Sequence, residues 1–151
     1  MKKKTWKMPA AVSLLVFAVA VMPLPCLAAE WPEVKEMRQG SIRYVNGGFG
    51  LEERAAMPTG FPLEVVFATT KGHYLSDVQV DIYTGQGRKA FSLAADNGPW
   101  LMVDLEPGRY RLTAVHNGHK KEVPSFSVPS KGTRTVLVSW PISQVDMGLK
   151  E

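Results

Sequence analysis

The sequence predicts an all-β sandwich of seven strands preceded by a short helix, and three observations carry that prediction. From Phe61 onward, short runs alternate apolar with polar residues, the period of a strand with one buried face. Clusters of turn residues separate these runs about every ten positions. Finally, Asn117-Gly118 lies between two such runs, and an Asn-Gly pair there suits a two-residue type I′ hairpin, because both central residues need positive φ.

Each strand can be justified in order. LEVVFATT places Leu63, Val65 and Phe67 on one face, and DVQVDIY turns Val78, Val80 and Ile82 inward with Asp77, Gln79 and Asp81 outward. GQG at 85–87 is a turn, RKAFSLAA supplies Phe91 and Leu93, and DNGP at 96–99 turns the chain again. PWLMVDL is a more apolar strand around Leu101, Val103 and Leu105. After EPG, Tyr110, Leu112 and Ala114 alternate with Arg109, Arg111 and Thr113. The return strand carries Phe126 and Val128, and TRTVLVSW points Val136, Val138 and Trp140 one way before Pro141 ends it. If the second and fifth of these strands are neighbours, Asp77 and Asp81 are expected to face Arg109 and Arg111, as exposed ion pairs of small energetic weight.

The N-terminal 28 residues have the three parts of a secretory leader. Lys2, Lys3, Lys4 and Lys7 form a basic head, AVSLLVFAVAV an apolar middle, and PLPCLAA a small-residue exit. The apolar run falls short of the roughly 20 residues a spanning helix needs. Export is therefore expected, with cleavage after Ala28 and no membrane insertion afterwards. Cys26 also admits a lipoprotein reading, although Pro25 stands where a small residue normally precedes the modified cysteine. Removing the leader removes the only cysteine, so the domain is expected to rely on its core without a disulfide. Of the 18 basic residues four lie in the leader, leaving 14 against 14 acids. The basic balance thus belongs to the targeting segment, and a nucleic-acid role loses its support. The rest divides into a polar lead-in at 29–40, a glycine-rich turn and helix at 41–60, the sandwich at 61–140 and a tail at 141–151.

Between Trp100 and Trp140 the order is Leu105-Glu106-Pro107-Gly108-Arg109-Tyr110, alternating Leu112 and Ala114, Gly118, and a closing Val-x-Val-x-Trp. This resembles the carboxypeptidase regulatory-like domains, transthyretin-like Greek-key sandwiches in which L-x-P-G-x-Y begins a strand. The resemblance spans about Phe61 to Trp140. It extends to small exported proteins of Gram-negative bacteria in which a Gly-Gly segment and a Glu-Glu-Arg-Ala helix precede the domain. It implies a periplasmic accessory or docking module without catalytic residues. Hydroxyisourate hydrolases share the fold, but their C-terminal Tyr-Arg-Gly-Ser is replaced here by VDMGLKE.

YVNGGFGLEERAAM, residues 44–57, holds the most conspicuous motif. A phosphate loop requires G-x-x-x-x-G-K-[ST], whereas Gly47-Gly48-Phe49-Gly50 leads into Leu51, Glu52 and Glu53. Acids in a first helical turn favour the helix and repel an anion. The plainer expectation is an extended piece at 41–45, a turn at 46–50 and a helix over 51–57 that packs Leu51, Ala55 and Met57 on the sandwich. The sharper one makes Tyr44, Asn46, Gly47, Gly48, Phe49, Glu52 and Glu53 a docking surface, since aromatic residues are favoured at interface centres. Trp100, after the DNGP turn, is the candidate for stacking on a sugar ring, against the more usual role of a core cap. His116 and His119 should face each other across the Asn-Gly turn, but two ligands are too few for zinc and His73 lies on a different turn. Ser125, Ser127 and Ser139 lack evident His and Asp partners. The expectation is a non-enzymatic envelope module that binds another protein through this surface or an exposed strand edge, without cofactor or metal. Glycan binding at Trp100 is the alternative, and a small hydrolase a more distant one.

Overall fold

The computed structural model describes residues 34–145, besides the isolated Lys2. The rest of the leader, with Cys26, and residues 29–33 and 146–151 lie outside the described residues. Two sheets face each other across one core. Nine strands run in the order β1 (Met37–Gln39), β2 (Ile42–Gly47), β3 (Leu63–Thr69), β4 (Val78–Thr84), β5 (Lys89–Ala95), β6 (Trp100–Val103), β7 (Gly108–His116), β8 (His119–Val128) and β9 (Arg134–Trp140). A single α-helix, α1 (Leu51–Ala55), lies between β2 and β3. One sheet has the order β1-β2-β6-β3-β9, the other β5-β4-β7-β8. The chain changes sheet after β3, β5, β6 and β8, giving β3–β9 the crossed connections of a Greek-key sandwich.

All seven strands anticipated from alternation are present, and the residues on their apolar faces fill the core. Leu63, Val65, Phe67, Val78, Val80, Ile82, Leu101, Leu112 and Trp140 are fully enclosed. The Asn-Gly turn has the required geometry, with Asn117 at φ 47° and Gly118 at φ 78°.

The strand count rises from seven to nine because residues 37–47, read as a lead-in, an extended piece and the start of a turn, form a β-hairpin. Its two central residues are Gly40 and Ser41, with Gly40 at φ 61°, and Gln39 pairs with Ile42 across them. The outward charges also pair differently from expectation. β4 and β7 are neighbours, but Asp81 bonds to Lys89 at 3.1 Å and accepts the Ser92 hydroxyl at 2.6 Å, while Arg111 lies over the Tyr83 ring at 4.9 Å.

Three side chains tie the sheets together beyond apolar packing. The Tyr110 hydroxyl donates to the Glu106 carbonyl at 2.7 Å, straddling the Pro107-Gly108 turn, and its ring stacks on Phe126 at 6.2 Å. This is a tyrosine corner, and it gives the L-x-P-G-x-Y motif a mechanical role. At one open side, the Gln39 amide accepts from the Ser92 N–H at 3.1 Å and donates to its carbonyl at 2.8 Å, joining β1 to β5 across the gap. At the other, the Trp140 indole N–H donates to the His119 carbonyl at 2.8 Å, joining β9 to β8.

Two outcomes follow from these contacts. Tyr110→Phe keeps the packing but strands the Glu106 carbonyl at the corner, so chemical denaturation should show a loss of about 1 kcal/mol. Asp81 is held below the usual carboxylate value by the Ser92 hydrogen bond first and by Lys89 second. A lowered folded-state pKa means its contribution is complete above the unfolded value near about 3.9 and disappears as pH falls through the folded one. Thermal melts from pH 6 down to about pH 2 should therefore decline less steeply for Asp81→Asn than for the parent chain.

Candidate functional site

The segment linking β2 to β3 folds over the outer face of the five-stranded sheet, and its path is fixed at its start. Asn46 is buried, and its side-chain amide donates to the carbonyls of Gly98 and Trp100, both at 2.9 Å, while its carbonyl accepts from the Asn97 N–H at 2.9 Å. One side chain thus satisfies three backbone groups of the turn that delivers β6. The same place demands glycine. A Cβ on Gly98, whose φ is 144°, would lie 2.2 Å from the Gly47 carbonyl oxygen, so the two backbones touch where no side chain fits.

Beyond this contact the chain turns outward through Gly48 at φ 90°, and a Cβ there would lie 2.9 Å from the Trp100 ring. Glu53 then folds back to accept the Phe49 N–H at 3.0 Å. Its carboxylate also sits 2.7 Å from where a Gly47 Cβ would be. Arg54 stretches over both Trp100, at 5.1 Å, and Tyr74, at 5.0 Å, whose rings lie 4.5 Å apart. These cation–π contacts hold α1 against the sheet.

The helix is therefore anchored by its charged residues, and its apolar ones face solvent. No residue of α1 is buried; Leu51 is 80% exposed and Phe49, just before it, 62%. The expectation that Leu51 and Ala55 pack on the sandwich is reversed, because the surface available to this short helix consists of aromatic faces that suit a guanidinium. The helix also ends at Ala55, before the anticipated Met57.

The sequence-predicted residues separate into two groups. Gly48, Phe49 and Glu53 come together with Trp100 at one place. Tyr44 and Asn46 point to the inner side of β2, where Tyr44 meets Phe91 edge-on at 5.2 Å as part of the packing between sheets. Gly47 is buried at the backbone contact, and Glu52 is exposed beside Leu51. Trp100 is half-buried and crowded by Gly48, Arg54 and Tyr74. Besides Phe49, the free aromatic surface here belongs to Tyr74, which is 50% exposed. Tyr74 and Arg54 were not singled out from the sequence; only the short bridge of Tyr74 to Ala68 brings the former to this place.

The histidines do not converge. His116 and His119 are paired across the turn, but His116 is buried, with Nδ1 3.3 Å from the Asp77 carbonyl and its ring against Trp140 at 5.8 Å, whereas His119 is exposed. Of the two turn histidines, His119 alone is open to solvent. Among the described residues no group of three or more His, Cys, Asp and Glu side chains is placed to hold a metal ion, and no helix is long and apolar enough to cross a membrane.

No family model matches the chain. No curated protein matches it either. Among solved structures, the chain is similar to BcpA, the major pilin subunit of Bacillus cereus, at 14% identity and a TM-score of 0.41, over 51% of this chain and 27% of the pilin. It is likewise similar to the 5-hydroxyisourate hydrolase of Klebsiella pneumoniae, at 16% identity and a TM-score of 0.41, over 51% of this chain and 88% of the hydrolase.

The Asn46 clamp generates a direct test. Asn46→Ala leaves two carbonyls and an N–H of the 97–100 turn without their partner, so urea denaturation should show a loss of about 1–3 kcal/mol for each group that water cannot reach. Glu52→Ala, at an exposed position, should stay within about 0.5 kcal/mol of the parent.

Proposed function

We propose that this chain is a non-enzymatic module of the bacterial periplasm that binds another protein of the cell envelope through the surface of Phe49, Leu51 and Tyr74. The observation that carries this reading is the outward projection of Phe49 and Leu51 from a segment whose every anchor points inward. Scattered single apolar residues on a surface need no explanation. Here two large ones stand on a clamped loop, and Arg54 of the same segment reaches the half-exposed Tyr74. Burying one such side chain against a partner is worth roughly 1.5–3 kcal/mol, and the clamp has already met part of the ordering cost of binding.

Composition supports the same reading. The balanced charge of residues 29–151 gives no field for nucleic acid, and the leader directs the chain out of the cytoplasm. Arg54 and Glu52 border the apolar residues and give the surface a polar rim, as protein interfaces have. Trp100, half covered by its own chain, offers less ring to a sugar than an open platform does.

Photo-crosslinking in living cells tests this, with the reactive residue at position 49 or 51 and a control at Gln79 on the outer face of the other sheet. A discrete protein adduct is expected at 49 and 51 and not at 79, and Leu51→Glu should reduce the yield of the adduct at 49 while leaving the melting curve unchanged. Equal labelling at 79, or none at 49 and 51, would refute protein docking here. A sugar-dependent fluorescence change lost in Trp100→Ala would replace it with glycan binding.

A further inference from the structure

The outer edge of β9 is unpaired among the described residues, and the orientation of its backbone groups is fixed by the contacts at its ends. Arg134 donates its N–H to the Pro62 carbonyl, and the Trp140 carbonyl accepts from Thr70, each at 2.8 Å. β9 runs parallel to β3 in unbroken register from Arg134 to Trp140, so residues 134, 136, 138 and 140 turn their backbone groups toward β3. Thr135, Leu137 and Ser139 therefore direct N–H and C=O away from the sheet. Their side chains lie on the outer face, where Leu137 is 64% exposed.

Edge strands are normally blunted by charge, proline, a bulge or shortness. β9 has none of these between its ends: it is seven residues long, without a register shift, and Arg134 is its only charge. The opposite edge of the same sheet, β1, is only three residues long and is stapled by Gln39. The edge of β8 in the other sheet carries lysines and Pro124. The edge of β5 is met at the Ser92 backbone by Gln39. β9 is tied to β8 through the side chain of its last residue, Trp140, so among the described residues it is the edge left open along its middle.

We infer that β9 pairs antiparallel with β9 of a second copy, about a two-fold axis through Leu137. The sequence of the strand fits its own reverse in that register. Leu137 meets Leu137 of the second copy, Thr135 meets Ser139, Val136 meets Val138, and Arg134 meets Trp140. The residues with outward backbone groups face one another, so each of those pairs exchanges both of its N–H···O bonds. The two exposed Leu137 side chains become direct cross-strand neighbours on one face. The only charge meets no like charge, which a heterologous strand would have to satisfy by chance. The contact is isologous and closes at two copies, so it yields a dimer with a continuous sheet and no filament. Seven residues of strand lie at the small end of stable interfaces, so the dimer should dissociate on dilution. The surface differs from that of Phe49, and either reading stands if the other falls.

The test uses the full chain in a Cys26→Ser background, which has no other cysteine. Paired residues of this type have Cα atoms about 5.5 Å apart, within disulfide reach. Leu137→Cys should form a disulfide dimer under mild oxidation. Thr135→Cys and Ser139→Cys should do so only when mixed, because each faces the other across the axis. Sedimentation velocity should show a concentration-dependent dimer of the parent that Leu137→Lys and Thr135→Pro each convert to monomer at every concentration. Thr135→Pro retains Leu137 and removes only an N–H that the fold leaves unused, and circular dichroism of both variants confirms the sandwich. A parent chain that remains monomeric, a dimer that survives both variants, or cross-linking of Thr135→Cys alone overturns the inference. So does a dimer seen only after deletion of residues 146–151, which would place the chain's own tail on this edge.

Discussion

The candidate surface depends on one buried amide. Asn46 is the last side chain that β2 contributes to the interior, and it binds the turn by which the chain crosses from β5 to β6. That turn has to approach β2 closely enough for two glycine backbones to touch, and a buried turn carries polar groups that helix or sheet cannot satisfy. An amide side chain has both a donor and an acceptor end and can meet both kinds of group at once. With the turn fixed, Trp100 is fixed at the start of β6, and with Trp100 fixed, Arg54 has a surface on which to lie. The exposure of Phe49 and Leu51 is the far end of this chain of dependence.

No disulfide joins the two sheets among the described residues, so their alignment rests on side-chain packing, the connections between them and a few directional bonds. Gln39 and Trp140 close opposite sides of the sandwich, each joining an edge strand of one sheet to an edge strand of the other. The tyrosine corner locks the connection between β6 and β7. Each bond contributes about 1 kcal/mol, far less than the enclosed aliphatic and aromatic side chains. Their value lies in direction, since apolar contact alone would tolerate sliding of one sheet over the other.

Most of the fold was legible because alternation and turn chemistry are local. Val78-x-Val80-x-Ile82, or Val136-x-Val138-x-Trp140, can be read without knowing the neighbour. The β1–β2 hairpin was missed for the converse reason. Met37–Gln39 has no apolar alternation and is held by backbone pairing and by the Gln39 contact to Ser92, 53 residues away. The Gly40-Ser41 pair was the available signal, because Gly followed by Ser suits a two-residue hairpin loop. The site was legible only in part. Phe49 and Trp100 stood out by residue type, but the orientation of LEERA could not be read from its pattern. A helix of five residues is steered by what lies beneath it, and those partners come from elsewhere in the chain, Tyr74 from the connection between β3 and β4 and Trp100 from the start of β6. Asn46 looked like a turn residue and proved to be a buried clamp for the same reason.

The outer face of the five-stranded sheet carries an apolar patch of its own, although it is directed away from the core. Val45 lies opposite Met102 in register and Val66 lies between Trp100 and Leu137, so these side chains share that face, and Val45 and Val66 are buried. Phe61, buried near the entry to β3, and Met57, which reaches Gly47, belong to the connection that covers the β2 side. That cover does not extend to β9, where Leu137 remains open. An antiparallel sandwich needs only one buried face per sheet. A second apolar face half covered by the chain's own connection therefore implies a reason for the uncovered half, and the free edge of β9 lies along it.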